Sequence, residues 1–224
     1  MSVERTRAIV LRRTNYGEAD RILRLITPLG QRSVIAKGVR REKSKLSGGI
    51  ELFGISDVVI NSGKGDLGIL TSVRLVQFYR HILEDYDRLQ FGYEAINLVS
   101  RASGSIDEPE WYGVLSEVYM GLDVPSIPLE LVKTWFYVHY SALTGYELNL
   151  THDVNGSLLD ASKTYMYDSQ EKGFRLAEQG DITQDHIKLL RMIATKSIQT
   201  VTQIGGIQPI LTNCWLIARQ HASI

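Results

Sequence analysis

The sequence is short of cysteine and of long apolar runs. Only one of its 224 residues, Cys214, is a cysteine. A disulfide within the chain and a zinc site built from several cysteines are therefore excluded, and such cysteine usage fits a reducing compartment. The apolar run at residues 8–11 is too short for a signal peptide, and no run is long enough to span a bilayer. We therefore expect a cytoplasmic protein without a membrane partner.

Catalytic motifs are missing as well. The five histidines are scattered, and neither His-Glu-x-x-His nor Gly-x-Ser-x-Gly occurs. Gly63-Lys64-Gly65 is not a nucleotide phosphate loop. That motif has four residues between its first glycine and Gly-Lys-[Ser/Thr], whereas Lys64 is followed by Gly65. His139 lies on an apolar helical stripe without a partner at metal-ligand spacing, which is typical of a hydrogen-bonded core histidine. We predict a protein that is not an enzyme and holds no cofactor and no metal.

The charges are unevenly distributed along the chain. Its 25 basic and 25 acidic residues cancel. Residues 1–80 nevertheless contain 15 Lys and Arg against 7 Asp and Glu, whereas residues 81–224 contain 10 against 18. Such an asymmetry indicates two units, the first of which faces a polyanion.

The densest positive charge lies in residues 37–45, which contain five cations and one anion, Glu42. The cations are Lys37, Arg40, Arg41, Lys43 and Lys45. An apolar run precedes this segment and Gly48-Gly49 follows it, so it is predicted to be a loop that leaves a strand. It suits a phosphate backbone, because each bound cation releases a condensed counterion. A solvated surface loop without a ligand remains the alternative at this point.

The first 78 residues are predicted to form five short strands, at 6–14, 20–27, 31–37, 51–61 and 67–76. Strands joined by glycine-rich turns without helices favour a small barrel such as the five-stranded oligonucleotide-binding (OB) fold. Arg12, Arg32 and Lys64 add positive charge from other strands and turns. Tyr16, in the first turn, is predicted to be exposed and available for base stacking. Phe53 is the other aromatic candidate, although large apolar residues are more often buried.

From about residue 77 the apolar period becomes helical. One helix or a helix pair is predicted at 77–104. Further helices are predicted at 109–121, 128–145, 183–205 and 208–221, with Thr183 as an N-cap. We therefore expect an α+β protein, with an OB barrel at 1–78 and a helical bundle at 79–224. An irregular, cysteine-free insert occupies 146–181. Lys188, Arg191 and Lys196 share one predicted helix and could bind an acidic peptide of a partner; ordinary solvated cations are the alternative.

Several motifs resemble one known family. They are Tyr16-Gly-Glu-Ala-Asp-Arg-Ile22, Thr27 with Gly30, Lys37-Gly-Val-Arg40, residues 46–53, and Leu143-Thr-Gly145 before the insert. In this combination they resemble the RecO recombination mediators, over essentially the whole chain. The resemblance implies a barrel followed by a helical domain and a non-enzymatic role in RecF-type recombination repair.

The resemblance also implies how such a protein would act. A member of this family would bind single-stranded DNA, anneal complementary strands and help load RecA onto DNA covered by single-stranded-DNA-binding protein (SSB). The implied partners are single- and double-stranded DNA, RecR, the acidic C-terminal tail of SSB and, indirectly, RecA. The implied location is the cytoplasm, in association with the nucleoid. The competing hypothesis is an OB-fold adaptor for RNA or protein without a repair role.

The insert departs from the family pattern. Many members carry four cysteines there, in an arrangement that resembles a zinc module. In this chain His152 and Asn155 stand at the places of the first pair, and residues 174–179 contain no cysteine. Tetrahedral zinc needs four donors, so we predict no structural zinc. The insert is instead expected to be held by the packing of Leu148, Leu158, Tyr165 and Tyr167.

Overall fold

A computed structural model describes residues 3–63, 65–106 and 108–222 of the chain. Packing divides the chain into two units, Met1–Asp123 and Val124–Ile224. The predicted domain boundary after residue 78 marks the change from strands to helices, and it remains a prediction. Within the described ranges, no helix is both long and apolar enough to cross a membrane.

The first unit begins with a closed five-stranded barrel. Its strands are β1 (Val3–Tyr16), β2 (Asp20–Thr27), β3 (Gly30–Ala36), β4 (Gly54–Asn61) and β5 (Leu67–Phe78). Their order around the barrel is β1-β2-β3-β5-β4. Every neighbouring pair is antiparallel except β3 with β5, which is parallel and short. The predicted α+β fold with an OB-like barrel is confirmed.

The long strand β1 closes the barrel because it pairs on both sides. Its first half pairs with β4 and its second half with β2, with a register shift between Val10 and Arg12. Such a bulge bends a strand and increases its twist, as barrel closure requires. Alternate side chains point inward. The buried core inside the barrel consists of Ala8, Val10, Leu23, Leu25, Val34, Ala36, Val39, Ile50, Val58, Ile60 and Leu70.

A 3₁₀ helix (Arg80–Glu84) and two α-helices, α1 (Tyr86–Ala102) and α2 (Glu110–Asp123), complete the first unit. In α1 the aromatic Tyr86 is 77% exposed, whereas the cation Arg88 is buried. The Arg88 guanidinium donates to the carbonyls of Gly121 and Leu122 at 3.4 and 3.0 Å. A buried cation is tolerated there because the C-terminal carbonyls of α2 satisfy it.

The second unit contains α3 (Leu129–Leu143), a hairpin of β6 (Tyr165–Asp168) and β7 (Gly173–Leu176), α4 (Gln184–Thr195), α5 (Ile198–Val201) and α6 (Gln208–Ala222). The single helix predicted at 183–205 is wrong. The chain turns extended at Lys196, and the Ser197 side chain accepts from the backbone N–H of Thr200 to cap α5. Serine competes for backbone hydrogen bonds and so favours a helix start over a helix interior.

The insert is more regular than its sequence suggests. Short side chains organise its turns; Asp153 Oδ1, for example, accepts from the backbone N–H groups of Asn155 and Ser157, both at 2.9 Å. Leu148 and Tyr165 are buried as expected. The Tyr167 hydroxyl forms a hydrogen bond of 2.9 Å with His221 Nδ1.

The role predicted for Leu158 is wrong, because 69% of this residue is exposed. Its backbone forms a β-bridge with His152, so the main chain rather than the side chain holds it in place. Fully buried Phe174, on β7, packs edge-to-face with Tyr167 instead.

Candidate nucleic-acid interface

The basic segment after β3 folds as consecutive tight turns. The N–H of Arg41 donates to the carbonyl of Gly38 at 3.1 Å, and the N–H of Ser44 donates to the carbonyl of Arg41 at 3.0 Å. Gly38 has φ of +63°, a left-handed conformation that glycine adopts without steric cost. These turns keep five cations on a short stretch of backbone.

Apolar side chains anchor the segment to the barrel. Val39 is 3% exposed and Ile50 is 1% exposed, and both belong to the barrel core. Leu46 packs against the same core. Gly49 lies so close to Val73 that a side chain at this position would collide with it. The Ser56 hydroxyl donates to the Gly49 carbonyl at 2.7 Å. The cations therefore project from an anchored loop.

Hydrogen bonds also join this loop to the turn between β1 and β2. The Arg40 N–H donates to the Ala19 carbonyl at 2.9 Å, and the Gly38 N–H donates to Asp20 Oδ1 at 2.6 Å. The Arg40 guanidinium approaches the Gly17 carbonyl at 3.4 Å. Tyr16 immediately precedes this turn and is 55% exposed. The fold thus brings the predicted aromatic residue beside the predicted cations.

We call this surface the basic cap. It consists of Lys37, Arg40, Arg41, Lys43 and Lys45, all exposed, with Tyr16 at the adjoining turn. Arg12 is exposed on the same side of β1 as Tyr16, about 13 Å along the strand at the usual rise per residue. Cations beside an exposed ring are what a single-strand binder needs, because phosphates bind the cations and bases stack on the ring.

Other residues predicted for this surface lie elsewhere. Arg32 is half-buried; its Nε lies 3.1 Å from Glu4 Oε2, and its Nη1 donates to the Gln31 carbonyl at 3.0 Å. Its guanidinium is thus engaged within the barrel. Lys64 lies outside the described residues. Phe53 is 1% exposed, so its predicted burial is confirmed, but it packs edge-to-face on Tyr93 of α1 and does not belong to the barrel core.

In the second unit, one of the three predicted partner-binding cations lines a groove. This α4–α6 groove has a volume of about 330 Å³ and is lined by Asp185, Lys188, Leu189, Met192, Ile204, Gly205, Gly206, Ile207 and Ile210. Arg191 instead donates twice to the Leu150 carbonyl, at 2.9 and 2.7 Å. Lys196 is exposed at the end of α4.

The insert does not present a donor set that suits zinc. His152 and Asn155 are exposed, and the amide of Asn155 is a poor zinc ligand. Phe174, the first residue of the segment in which the family carries its second cysteine pair, is buried. In the described part of the chain, no group of three or more His, Cys, Asp or Glu could hold a metal ion. Packing and turn hydrogen bonds account for the order of the insert.

One cluster of cations on the barrel was not predicted from the sequence. Arg5, Arg7 and Arg74 line one groove on the outer face of the barrel, where Arg7 and Arg74 lie within ion-pair distance of Asp57. The alternation Arg-Thr-Arg at 5–7 signals a shared face of one strand. Arg74 is 67 residues away from Arg7 in the sequence, and only the pairing of β4 with both β1 and β5 brings it near.

Comparison with known proteins places the chain in a family. Residues 1–79 match the family model described as "Recombination protein O N terminal". Proteins named DNA repair protein RecO from Dehalococcoides mccartyi strains CBDB1 and 195 are 32% and 30% identical to this chain, and each alignment covers 97% of this chain and 88% of the relative. A protein of the same name from Roseiflexus is 38% identical over 44% of this chain and 35% of the relative. With a DNA repair role shared by these relatives and an OB-like barrel at its start, the chain belongs to the RecO family of DNA repair proteins.

Proposed function

We propose that the protein acts in repair by binding single-stranded DNA through the basic cap and annealing complementary strands. The observation that carries this proposal is the convergence of five exposed cations and exposed Tyr16 on one end of the barrel. An anchored loop loses little conformational entropy on binding, which favours affinity. Arg12 would extend the path of the strand along β1.

Annealing follows from the electrostatics of the cap. Two DNA strands repel each other because both carry one negative charge per nucleotide. Cations that neutralise phosphates lower this repulsion without reading the base sequence. The same contacts would hold the double-stranded product, which also presents phosphates. The proposed mechanism requires no bond to be broken, so the protein would act without enzymatic chemistry.

We further propose that the partners of the protein are RecR, SSB and, indirectly, RecA. The α4–α6 groove is the candidate site for the acidic SSB tail, because Lys188 stands beside apolar Leu189, Met192 and Ile207. An acidic peptide with an apolar end would place its carboxylates near Lys188 and its apolar groups in the groove. Displacement of SSB by this route would expose DNA for RecA.

Strand annealing tests the proposal. Replacing Arg40, Arg41, Lys43 and Lys45 together by Glu is expected to abolish annealing of complementary oligonucleotides. Because Arg40 also contacts the Gly17 carbonyl, the double variant K43E/K45E is the cleaner change. Its matched control, R101E/K163E, changes two exposed cations elsewhere by the same total charge. Annealing by K43E/K45E at the rate of the control would contradict the proposal.

Two further measurements distinguish the proposed repair function from an RNA- or protein-binding adaptor. Competition between DNA and RNA of equal length is expected to favour DNA or to be even; a clear preference for RNA would support the adaptor hypothesis instead. Annealing of SSB-covered strands is then compared for full SSB and for SSB that lacks its acidic tail. We expect wild-type protein to anneal SSB-covered strands only when SSB has its tail. We expect K188E to fail with full SSB in the same way, and the control R219E to anneal like wild type.

A further inference from the structure

The missed arginines line a groove on the outer face of β1, β4 and β5. It has a volume of about 460 Å³ and is lined by Arg5, Thr6, Arg7, Asp57, Val58, Val59, Ser72 and Arg74. We call it the arginine groove. No other part of the proposed function uses these residues.

Strand register explains why these side chains meet. Arg7 pairs with Asp57, which pairs with Arg74, so that one row crosses three strands. Arg5 pairs with Val59, which pairs with Ser72, and this forms the next row on the same face. Rows two residues apart are separated by about 7 Å at the usual rise per residue. Successive phosphates of an extended nucleic-acid strand follow one another at a comparable spacing.

Asp57 orients two of the guanidinium groups without neutralising the groove. Its Oδ1 lies 3.7 Å from Arg7 Nε, and its Oδ2 lies 2.6 Å from Arg74 Nη2. The Arg7 and Arg74 side chains are 62% and 81% exposed. Each guanidinium has five N–H donors in a planar fork, so donors remain for a ligand. Three arginines face one carboxylate, Asp57, so the groove keeps two positive charges that this carboxylate does not balance.

The arginine groove is separate from the basic cap. Arg5 and Arg7 lie on the half of β1 that pairs with β4, whereas Arg12 and Tyr16 lie on the half that pairs with β2. Between them, residues 8–11 are buried. Arg7 and Tyr16 are nine residues apart, or roughly 30 Å along an extended strand. One short stretch of phosphates could not cover both surfaces along this strand.

We propose that the arginine groove is a second phosphodiester-binding site, which holds the backbone of one nucleic-acid strand while the basic cap holds another. This inference rests on the proposed function. Arginine forks match phosphate and carboxylate alike, but a docked peptide normally needs an apolar anchor in a pocket. The apolar lining of the groove is limited to Val58 and Val59, so a backbone of repeating phosphates fits it better than an acidic peptide does. Two DNA strands bound to one barrel would repel each other less, because arginines and lysines would neutralise part of the phosphate charge of each strand.

The experiment counts strands bound to one chain. Two non-complementary single-stranded oligonucleotides, one with a donor dye and one with an acceptor dye, are added to the full-length protein, and energy transfer reports their joint binding. We expect wild type to give energy transfer and R5Q/R74Q to lose it while still binding one strand. The control R101Q/K163Q keeps energy transfer. For single strands the salt slope of binding is about 0.7 per phosphate contact, so R5Q/R74Q should also reduce the total slope by about 1.4.

The possible outcomes separate this inference from the proposed function. If R5Q/R74Q keeps energy transfer while K43E/K45E loses it, the groove is not a DNA site and the basic cap stands. If K43E/K45E keeps all DNA binding and R5Q/R74Q loses it, the cap fails and the groove stands. Absence of any DNA binding by wild type overturns both. If R5Q/R74Q binds DNA as wild type does but no longer binds poly-glutamate, the groove is a site for an acidic peptide and not for DNA.

A second variant covers the case in which R5Q/R74Q fails to fold. Ser72→Glu places a carboxylate in the groove at an exposed strand position and leaves every arginine intact. We expect this variant to lose energy transfer as R5Q/R74Q does. Energy transfer equal to that of wild type in S72E would contradict the proposal.

Discussion

Three histidines of the second unit make its stability depend on pH. Burial lowers the pKa of His139, His186 and His221. Each has a hydrogen-bonded role: His139 stacks on Trp135 and contacts the Ile193 carbonyl, His186 takes part in the cap of α4, and His221 bridges Tyr167 and the Tyr146 carbonyl. The neutral ring is the form that suits each of these places.

The direction of the pH effect follows from linkage. Because the folded pKa values are lowered, the unfolded chain binds protons at a higher pH than the folded chain does. We therefore expect full stability above a pH of about 6.5 and a progressive loss as the pH falls through the folded values. Urea unfolding at pH 7.5, 6.5 and 5.5 measures this loss. His221→Gln should flatten the dependence; a slope equal to that of wild type would refute the assignment.

At the scale of single residues, charge density in the sequence was enough to find the basic cap but not the arginine groove. Five cations within nine residues remain together in any fold. The three groove arginines meet only through strand pairing that a sequence does not display. Arg32 shows the reverse problem, because a cation predicted for the surface points toward Glu4 and is half-buried.

The packing of α1 depends on one close approach. A Cβ on Gly92 would lie 2.7 Å from Phe53 Cε1, and Phe53 is itself held in a left-handed conformation with φ of +60°. Its ring packs edge-to-face with Tyr93 and Tyr119 at centroid distances of 5.1 and 5.6 Å. The glycine thus makes room for the aromatic cluster of the first unit.

Two helical glycines therefore respond differently to the same substitution. Gly92→Ala is expected to destabilise the protein by about 1–3 kcal/mol, because the ring of Phe53 must shift in a packed core. Gly113→Ala, at an exposed position of α2 where an added Cβ would have no neighbouring atom within 4 Å, is expected to stabilise it by about 0.5–1 kcal/mol. Chemical denaturation measures both changes. A destabilisation of similar size in the two variants would show that the collision with Phe53 does not matter.

At the scale of elements, the strands were predictable and the end of α4 was not. Alternation and turn residues placed β2 at 20–27, as found. The apolar period of 183–205 continues through Ile198 and Val201, both buried, although the helix breaks at Lys196. Periodicity reports which side chains are buried, so it cannot detect the two extended residues, Lys196 and Ser197, that interrupt a helix while the apolar period continues. The hairpin of the insert was missed because its strands have only four residues each.

For the molecule as a whole, the change from basic to acidic composition falls inside the first unit and not at the boundary between the two units. Residues 81–123 contain 2 basic and 9 acidic residues, against 15 and 7 in residues 1–80. Residues 81–123 therefore bring negative charge into the unit that contains the basic barrel, through α2 and the segments before α1 and α2, since the charges within α1 cancel. Such charge repels DNA, so binding would be confined to the cationic faces of the barrel.

The central claim is that the basic cap binds the phosphate backbone of single-stranded DNA. Equilibrium binding of one labelled oligonucleotide, measured by anisotropy at several salt concentrations, tests it directly for wild type, K43E/K45E and the control R101E/K163E. We predict that K43E/K45E binds more weakly at every salt concentration and that its log–log salt slope is smaller by about 1.4, since each lost phosphate contact removes about 0.7. The control should match wild type. Equal affinities and equal slopes for K43E/K45E and wild type would contradict the claim.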